Sequence, residues 1–402
     1  MAVLPKELLS KEFLSQFKTE NDVSNFLKEL HTQVLEQMLE GELDSHLGYD
    51  KHEPSGKNSG NSRNGSYKKK IQTEHGESII TVPRDRIGEF EPIIVPKYQS
   101  RGLSIEKLVI SLYAKGMSVS DIEAEMREIY DISLSSSSIS IITNKVNQAA
   151  IEWHNRPLES QYLIVWMDGI VFKVRDNGRV VNKTVYLCIG LNKSGYKEVL
   201  GMWVGANESS SFWMSVLTDL QARGAEDILI TCTDNLNGFT DTIRAVFPNS
   251  TTQICVVHQI RNSSRYVVCK DRKEFASDMK NIYNAVNKDM AALELDKFAD
   301  KWGNKYAYAI RSWRNNWEDL TSYFEFPLEI RKIIYTTNVI ENMNGKIRKY
   351  TKNKLSFPND DAVKKTVYLA LMEIQKKWNN PINNWGIVVN QFLCIFDGRL
   401  KL

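Results

Sequence analysis

Apolar residues recur along this chain in three patterns, and each predicts a different kind of element. Over residues 5–48, Leu27, Leu30, Val34, Leu35, Met38 and Leu39 return at three- and four-residue steps, which predicts helices with one apolar stripe. Residues 50–66 lose that period: the stretch from Glu53 to Gly65 is rich in Gly, Ser and Asn and predicts a loop or flexible arm. Short runs at 69–73 and 77–82 predict a β-hairpin that turns at His75-Gly76 and ends at Pro83. Three helices are expected over 104–150. The first runs from about Ser104 to Lys115 and stops at Gly116, and the second is capped by Ser118 or Ser120. The third follows Ser135, Ser136, Ser137 and Ser138 and carries Ile139, Ile142 and Val146 on one face. This is a helix-turn-helix outline, and equally that of a plain three-helix packing module.

Between 161 and 260 the pattern becomes one of nearly continuous apolar runs. Strands are expected at Tyr162–Met167, Lys183–Leu191, Glu198–Val204, Asp227–Thr233 and Gln253–Val257, with helices at about 210–223 and 238–247. The order β-β-β-α-β-α-β predicts a mixed sheet with helices packed on it, an α/β class with all-α parts around it. Residues 265–335 turn helical and aromatic, and further helices are expected at 337–352 and 360–380. Five segments follow: 1–66, 67–155, 156–264, 265–334 and 335–402.

Composition narrows the picture. The 402 residues suffice for two or three domains, and 42% apolar content allows a sizeable core. The net charge of only +3 excludes a surface that is basic throughout, so any nucleic-acid contact must come from local patches. Cys188, Cys232, Cys255, Cys269 and Cys394 are odd in number and scattered, which argues for a reducing cytosol; the lack of a Cys-x-x-Cys pair argues against a zinc ribbon. No signal-peptide core opens the chain, and no run reaches about 18 uncharged apolar residues, so a cytoplasmic protein with no membrane span is expected.

The chemistry-bearing signal is the position of two acids. Asp168 follows the run Leu163–Met167, and Asp234 follows Ile228–Thr233. A core strand rarely tolerates an Asp, because an unpaired buried charge is costly. Two such acids at the edge of one sheet can share a divalent cation, or each can be an ordinary strand-end residue in a turn or cap. A third acid, Glu341, lies on a helix that Thr336 or Thr337 can cap, sharing a face with Asn338, Asn344, Gly345 and Arg348. Periodicity alone does not separate Glu341 from a solvated glutamate.

A set of stretches carries a family resemblance. They include His46-Leu47-Gly48-Tyr49, Asn61-Ser62-Arg63-Asn64-Gly65, Val82-Pro83-Arg84-Asp85-Arg86, Phe90-Glu91-Pro92, Asp168-Gly169 and Cys232-Thr233-Asp234. They continue with Cys255-Val256-Val257-His258, Trp313-Arg314-Asn315-Asn316-Trp317, Tyr335 to Glu341, Lys376-Lys377-Trp378 and Asn384-Trp385-Gly386. Over roughly residues 25–400 the chain is similar to the mutator-type bacterial insertion-sequence transposases. The resemblance implies a ribonuclease-H-like core whose acidic (DDE) triad maps onto Asp168, Asp234 and Glu341. It implies two Mg²⁺ ions on these acids, with Mn²⁺ expected to substitute, and DNA cleavage followed by strand transfer. The implied partners are double-stranded DNA, as terminal inverted repeats and as target, and a second copy of the chain, since both ends must be brought together. The 107 positions from Asp234 to Glu341 exceed the 66 from Asp168 to Asp234, and the family's all-helical insertion would fill the longer interval. A nuclease of the same fold that does not join, and a non-catalytic DNA-binding regulator, are the alternatives.

Several further residues have two readings each. His258, in the Cys255-x-x-His258 pair, either is satisfied by a neighbouring group or contacts DNA or orients a catalytic Asp. Trp302, Trp313 and Trp317 either pack a helical core or offer a stacking surface for an unpaired base, and Trp313 is the first choice because Arg311 and Arg314 flank it. Lys346, Arg348, Lys349, Lys352 and Lys354 form an acid-free basic run after Glu341, either a solvated face or a neutraliser of phosphates. Asn338 and Asn344 lie on the same approach to a phosphate backbone. Arg63 with Lys68, Lys69 and Lys70 reads as a minor-groove arm or a tail.

Overall fold

The computed structural model describes residues 10–53, 60–73, 76–97, 103–130, 132–206, 209–236, 238–335 and 338–400. The expected turn residue His75 and the expected caps Thr336 and Thr337 lie outside these. The chain divides into two compact units, Met1–Asn144 and Lys145–Leu402.

In the first unit, α1 (Lys11–Leu14) precedes the long α2 (Glu20–Leu47). Thr19 and Asp22 form a reciprocal capping box at the start of α2, and Gly48, with φ of +77°, ends it. The helix packs on a ribbon of β1 (Arg63–Thr73) and β2 (Gly76–Asp85). Its buried line is narrower than the apolar stripe predicted. Leu39 and Leu43 are buried and Leu35 partly so, while Leu27, Val34 and Met38 stay exposed, because a two-stranded ribbon covers only a thin strip of helix. The ribbon itself is longer than expected. Pro83 does not end it but pairs opposite Ser66, which a two-stranded sheet tolerates because both of its strands are edges.

A buried polar hub ties the ribbon's open end together. Asn61 Nδ2 donates to Asp85 Oδ2 at 2.8 Å, while Asn61 Oδ1 accepts from the backbone N–H groups of Ser62, Arg86 and Ile87. Asp85 also accepts from the N–H groups of Glu89 (3.0 Å) and Phe90 (3.2 Å). Burial alone would raise the Asp85 pKa, but these three hydrogen bonds together outweigh it and hold the carboxyl down at about 2. Its folded-state value lies below its ordinary 3.8, so the stabilisation is present above about pH 4 and is lost as the pH falls from about 4 to about 2. Asp85→Ala is expected to cost about 2 kcal/mol by stranding the three donors and to remove this part of the acid dependence. Thermal unfolding across that pH range checks both.

α3 (Leu103–Ala114), α4 (Val119–Tyr130) and α5 (Ser136–His154) form where expected. Gly116 has φ of +97° after the first. Ser118 caps the second, its Oγ accepting from Asp121 N at 3.1 Å and Asp121 Oδ2 from Ser118 N at 3.0 Å. Ile139 and Ile142 are fully buried on the third.

The second unit is built on a five-stranded mixed sheet: β3 (Gln161–Asp176), β4 (Arg179–Leu191), β5 (Lys197–Gly205), β6 (Asp227–Thr233) and β7 (Thr251–Ile254). Their order is β5-β4-β3-β6-β7. β3, β4 and β5 form an antiparallel meander, while β6 and β7 run parallel to β3. The parallel connections need crossovers, supplied by α6 (Ser210–Ala222) and α7 (Phe239–Val246). These helices cover one face of the sheet, where Val165, Met167, Tyr186 and Cys188 meet Trp213, Leu217, Phe239 and Ile243. The other face, with Ile164, Trp166, Ile170, Leu187 and Ile189, joins a larger core. That core is shared with α8 (Val256–Ser264), α9 (Cys269–Tyr283), α10 (Lys288–Asn315), α11 (Trp317–Thr321), α12 (Leu328–Ile334), α13 (Asn338–Thr351), α14 (Asp360–Gln375) and α15 (Trp385–Ile395). α10 is broken at Tyr306, whose φ of −129° and ψ of 45° are not helical. The last strand is shorter than expected: it ends at Ile254, and Val256 and Val257 begin α8. No helix among the described residues is long and apolar enough to cross a membrane.

Candidate functional site

The sheet register brings the two aspartates to one edge. β3 does not stop at Asp168 as the apolar run suggested; it continues to Asp176 against β4, with Asp168 opposite Leu187. The parallel partner β6 does stop there. Trp166 pairs with Cys232, so Asp168 and Asp234 each stand two residues beyond a paired position. Side chains two apart in a strand share a face, and neighbouring strands lie about 4.8 Å apart. Asp168 is therefore half-buried on a strand that has lost one neighbour, beside the half-buried Asp234 in the segment that leaves β6. The next position must be small: a Cβ at Gly169 would stand 2.7 Å from Thr184 Cγ2.

The third acid arrives on α13, which lies against β3. Asn344 Nδ2 donates to Asp168 Oδ2 at 2.9 Å, while Gly169 N donates to Asp168 Oδ1 at 2.8 Å. Glu341 is one turn earlier on the same helix face. It is held from α8: Arg261 Nη1 donates to Glu341 Oε1 at 2.6 Å, Arg261 Nη2 to Oε2 at 3.4 Å, and His258 Nε2 stands 3.6 Å from Oε1. The neighbouring Cys255 side chain first, and then the fields of Asp168 and Asp234, overcome burial and push His258 up to about 9. Arg261 is likewise raised, by its hydrogen bond to Glu341 first and by Asp168 among others. Three acids from β3, the end of β6 and α13 thus act with two cations of α8 in one electrostatic cluster.

Carboxylates are the hard oxygen donors that Mg²⁺ takes, so this set fits such an ion by donor type and by charge. As arranged, Glu341 is engaged by Arg261 and His258, and among the described residues no three His, Cys, Asp or Glu side chains form a group that could hold a metal ion.

The cluster is braced from behind. Gln259, fully buried on α8, accepts at Oε1 from Asn235 Nδ2 (3.0 Å) and donates through Nε2 to Ser312 Oγ of α10 (2.9 Å). The segment leaving Asp234 is thereby tied to the helical part of the unit.

Comparison with known proteins decides what frame this cluster belongs to. The model of the family described as "Transposase, Mutator family" matches residues 3–381. The chain belongs to this family. A "Probable transposase for insertion sequence element ISRM3-like" from Sinorhizobium fredii is 39% identical over 97% of this chain and 99% of its own length. The "Transposase for insertion sequence element ISRM3" from Rhizobium meliloti is also 39% identical over the same shares. The "Transposase for insertion sequence element IS905" from Lactococcus lactis is 32% identical over 96% of this chain and 98% of its own. Among solved structures, the likeness to a Drosophila P element transposase strand transfer complex has a TM-score of 0.30 at 10% identity, too remote to inform the site.

The Mutator-family chain places its other anticipated residues unevenly. Trp313, read either as a core residue or as a stacking surface, is a core residue: it is 1% exposed and its Nε1 donates to Ser263 Oγ at 3.1 Å, so no base can reach its face in this arrangement. Trp302 is buried too, bonded to Asp278. Arg311 is exposed, and Arg314 is exposed and paired with Asp296 at 3.1 Å. Arg63 is engaged within its own unit, by Asp44 and by the Tyr49 carbonyl at 3.0 Å, and stacks 4.9 Å over the Tyr49 ring. Lys69 donates to the Pro96 carbonyl at 2.6 Å, and Lys70 pairs with Glu77 at 2.5 Å, while Lys68 is exposed. Before Glu341, Asn338 is exposed; after it, Arg348, Lys349 and Lys352 are exposed and Lys346 is half-buried. Lys354 is set apart: burial, then the nearby Lys365, push it down to about 8, and its Nζ donates to Thr366 Oγ1 at 3.1 Å. Asn344 is a partner of Asp168. His258 faces Glu341 at 3.6 Å.

Arg261, Gln259 and Asn235 were not anticipated. Arg261 had a signal: it lies three residues after His258, hence on the same face of α8.

Proposed function

We propose that this Mutator-family transposase cuts and joins DNA with a DDE site made of Asp168, Asp234 and Glu341 on a ribonuclease-H-like core. The observation that carries the reading is the register of β3 and β6, which puts two aspartates at one sheet edge, with the Asn344 hydrogen bond bringing the Glu341 helix to the first of them. The strand order β5-β4-β3-β6-β7, an antiparallel meander followed by two parallel strands, supports the core assignment. The three carboxylates would hold Mg²⁺, or Mn²⁺ in its place, which when bound supplies Lewis-acid activation of the attacking oxygen and stabilisation of the leaving one.

The chain's own residues do the rest. Asn344 and the Gly169 N–H fix the Asp168 carboxylate. The exposed Arg348, Lys349 and Lys352 extend from the Glu341 helix and neutralise backbone phosphates, and the exposed Lys68 of the ribbon contributes in the same way. Terminal inverted repeats and target DNA are the substrates, handled in the cytoplasm by at least a homodimer, because two ends must react together. No covalent protein–DNA intermediate is needed.

A plasmid integration assay with a duplex ending in the element's terminal repeat tests the reading. Divalent-ion-dependent joining of that end to plasmid DNA is expected. Cutting without joining would reduce the protein to a nuclease, and binding without either would make it a regulator.

A further inference from the structure

Arg261 sits inside the acid cluster, yet the reaction as assigned gives it nothing to do. Its side chain is 58% exposed, while the Glu341 it holds is 24% exposed, so its outer side faces solvent at the mouth of the cluster. The planar guanidinium grips both Glu341 oxygens, and the same fork suits the two oxygens of a phosphate.

Geometry singles out this residue. Arg261 engages both Glu341 oxygens, the atoms a divalent cation on Glu341 would need. For such an ion to bind there, the guanidinium must find another anion. His258, beside the same carboxylate, is the more enclosed of the two neighbours. Arg261 has the longer stem and the exposed position, and under the proposed function the substrate brings backbone phosphates to this mouth.

We propose that Arg261 is a positioning residue that exchanges Glu341 for a DNA phosphate. Without DNA it occupies Glu341; a backbone phosphate draws the guanidinium away and releases Glu341 toward Asp168 and Asp234. The inference rests on the reading of these three acids as one ion-binding set. It makes DNA and divalent ion mutually reinforcing ligands, since each favours the state with Arg261 off Glu341.

The test measures Mn²⁺ binding by the full DNA-free chain, from the electron paramagnetic resonance signal of free Mn²⁺, for the unaltered protein, Arg261→Gln and Asp168→Asn. Arg261→Gln is expected to bind Mn²⁺ about fivefold more tightly, the lower end of typical coupling between sites. Its binding to a duplex copied from the DNA flanking its own reading frame should lose about 0.9 from the slope of log affinity against log salt, the loss of one phosphate contact. An unchanged Mn²⁺ affinity or an unchanged slope overturns the exchange. Asp168→Asn is expected to lose Mn²⁺ binding; if it binds as the unaltered protein does, the three-acid site itself is wrong, which separates the two failures.

Discussion

Asp168→Asn, Asp234→Asn and Glu341→Gln are each expected to lower DNA cleavage and joining by about 10³-fold or more, several kcal/mol of transition-state stabilisation. Each change keeps the shape of the side chain and removes its charge. Asn at 168 still accepts from Gly169 N, so the strand keeps its form, but the neutral amide oxygen is a weak ligand for a hard cation. Gln at 341 frees Arg261 from an ion pair and leaves α13 packed on Ile340, Met343 and Ile347. Duplex binding is expected to stay within a few-fold, since the exposed cations after Glu341 are untouched. The three losses should not add in double variants, because the acids act as one unit. Cleavage at the unaltered rate in any single variant would remove that residue from the site.

Asn344→Ala is expected to slow the chemical step by about 10- to 100-fold, the usual cost of losing a group that orients a metal-binding side chain, with duplex affinity unchanged. Asn344 Nδ2 holds one Asp168 oxygen while the Gly169 N–H holds the other. Without the amide the carboxylate keeps one anchor and can rotate about it. Single-turnover cleavage rates set against duplex affinity check this. A lower affinity with an unchanged rate would restore the phosphate-contact role that the helix pattern alone suggested for Asn344.

The sheet was largely legible because its strands are apolar runs, and a run of Ile, Val and Leu announces burial without needing a partner. Where such a run ends was a poorer guide to where the strand ends. Asp168 looked terminal because the apolar run stopped, yet β3 goes on for eight more residues against β4. The feature that matters is that β6 stops beside it, and only the register of two strands distant in sequence reveals that. The same limit applies to helices. Periodicity put Glu341 and Asn344 on one face of α13 but could not say that Asn344 meets Asp168 or that Arg261, 80 positions earlier, meets Glu341. Trp313 beside two arginines looked like a nucleic-acid surface. Residues adjacent in sequence lie on different faces of a helix, so the indole points inward while Arg311 and Arg314, three apart and on one face, point out. Arg63 and Asp85, read as part of a basic arm and a matching stretch, are structural ties of the ribbon.

The central claim is that Asp168, Asp234 and Glu341 form one ion-binding set, and the most direct measurement is a crystal structure of the chain with an end duplex and Mn²⁺, with the metal located by its anomalous scattering. The account predicts manganese in contact with carboxylate oxygens of all three acids and Arg261 withdrawn from Glu341. Manganese bound elsewhere, or Glu341 still held by Arg261 with no metal between it and the two aspartates, would contradict it.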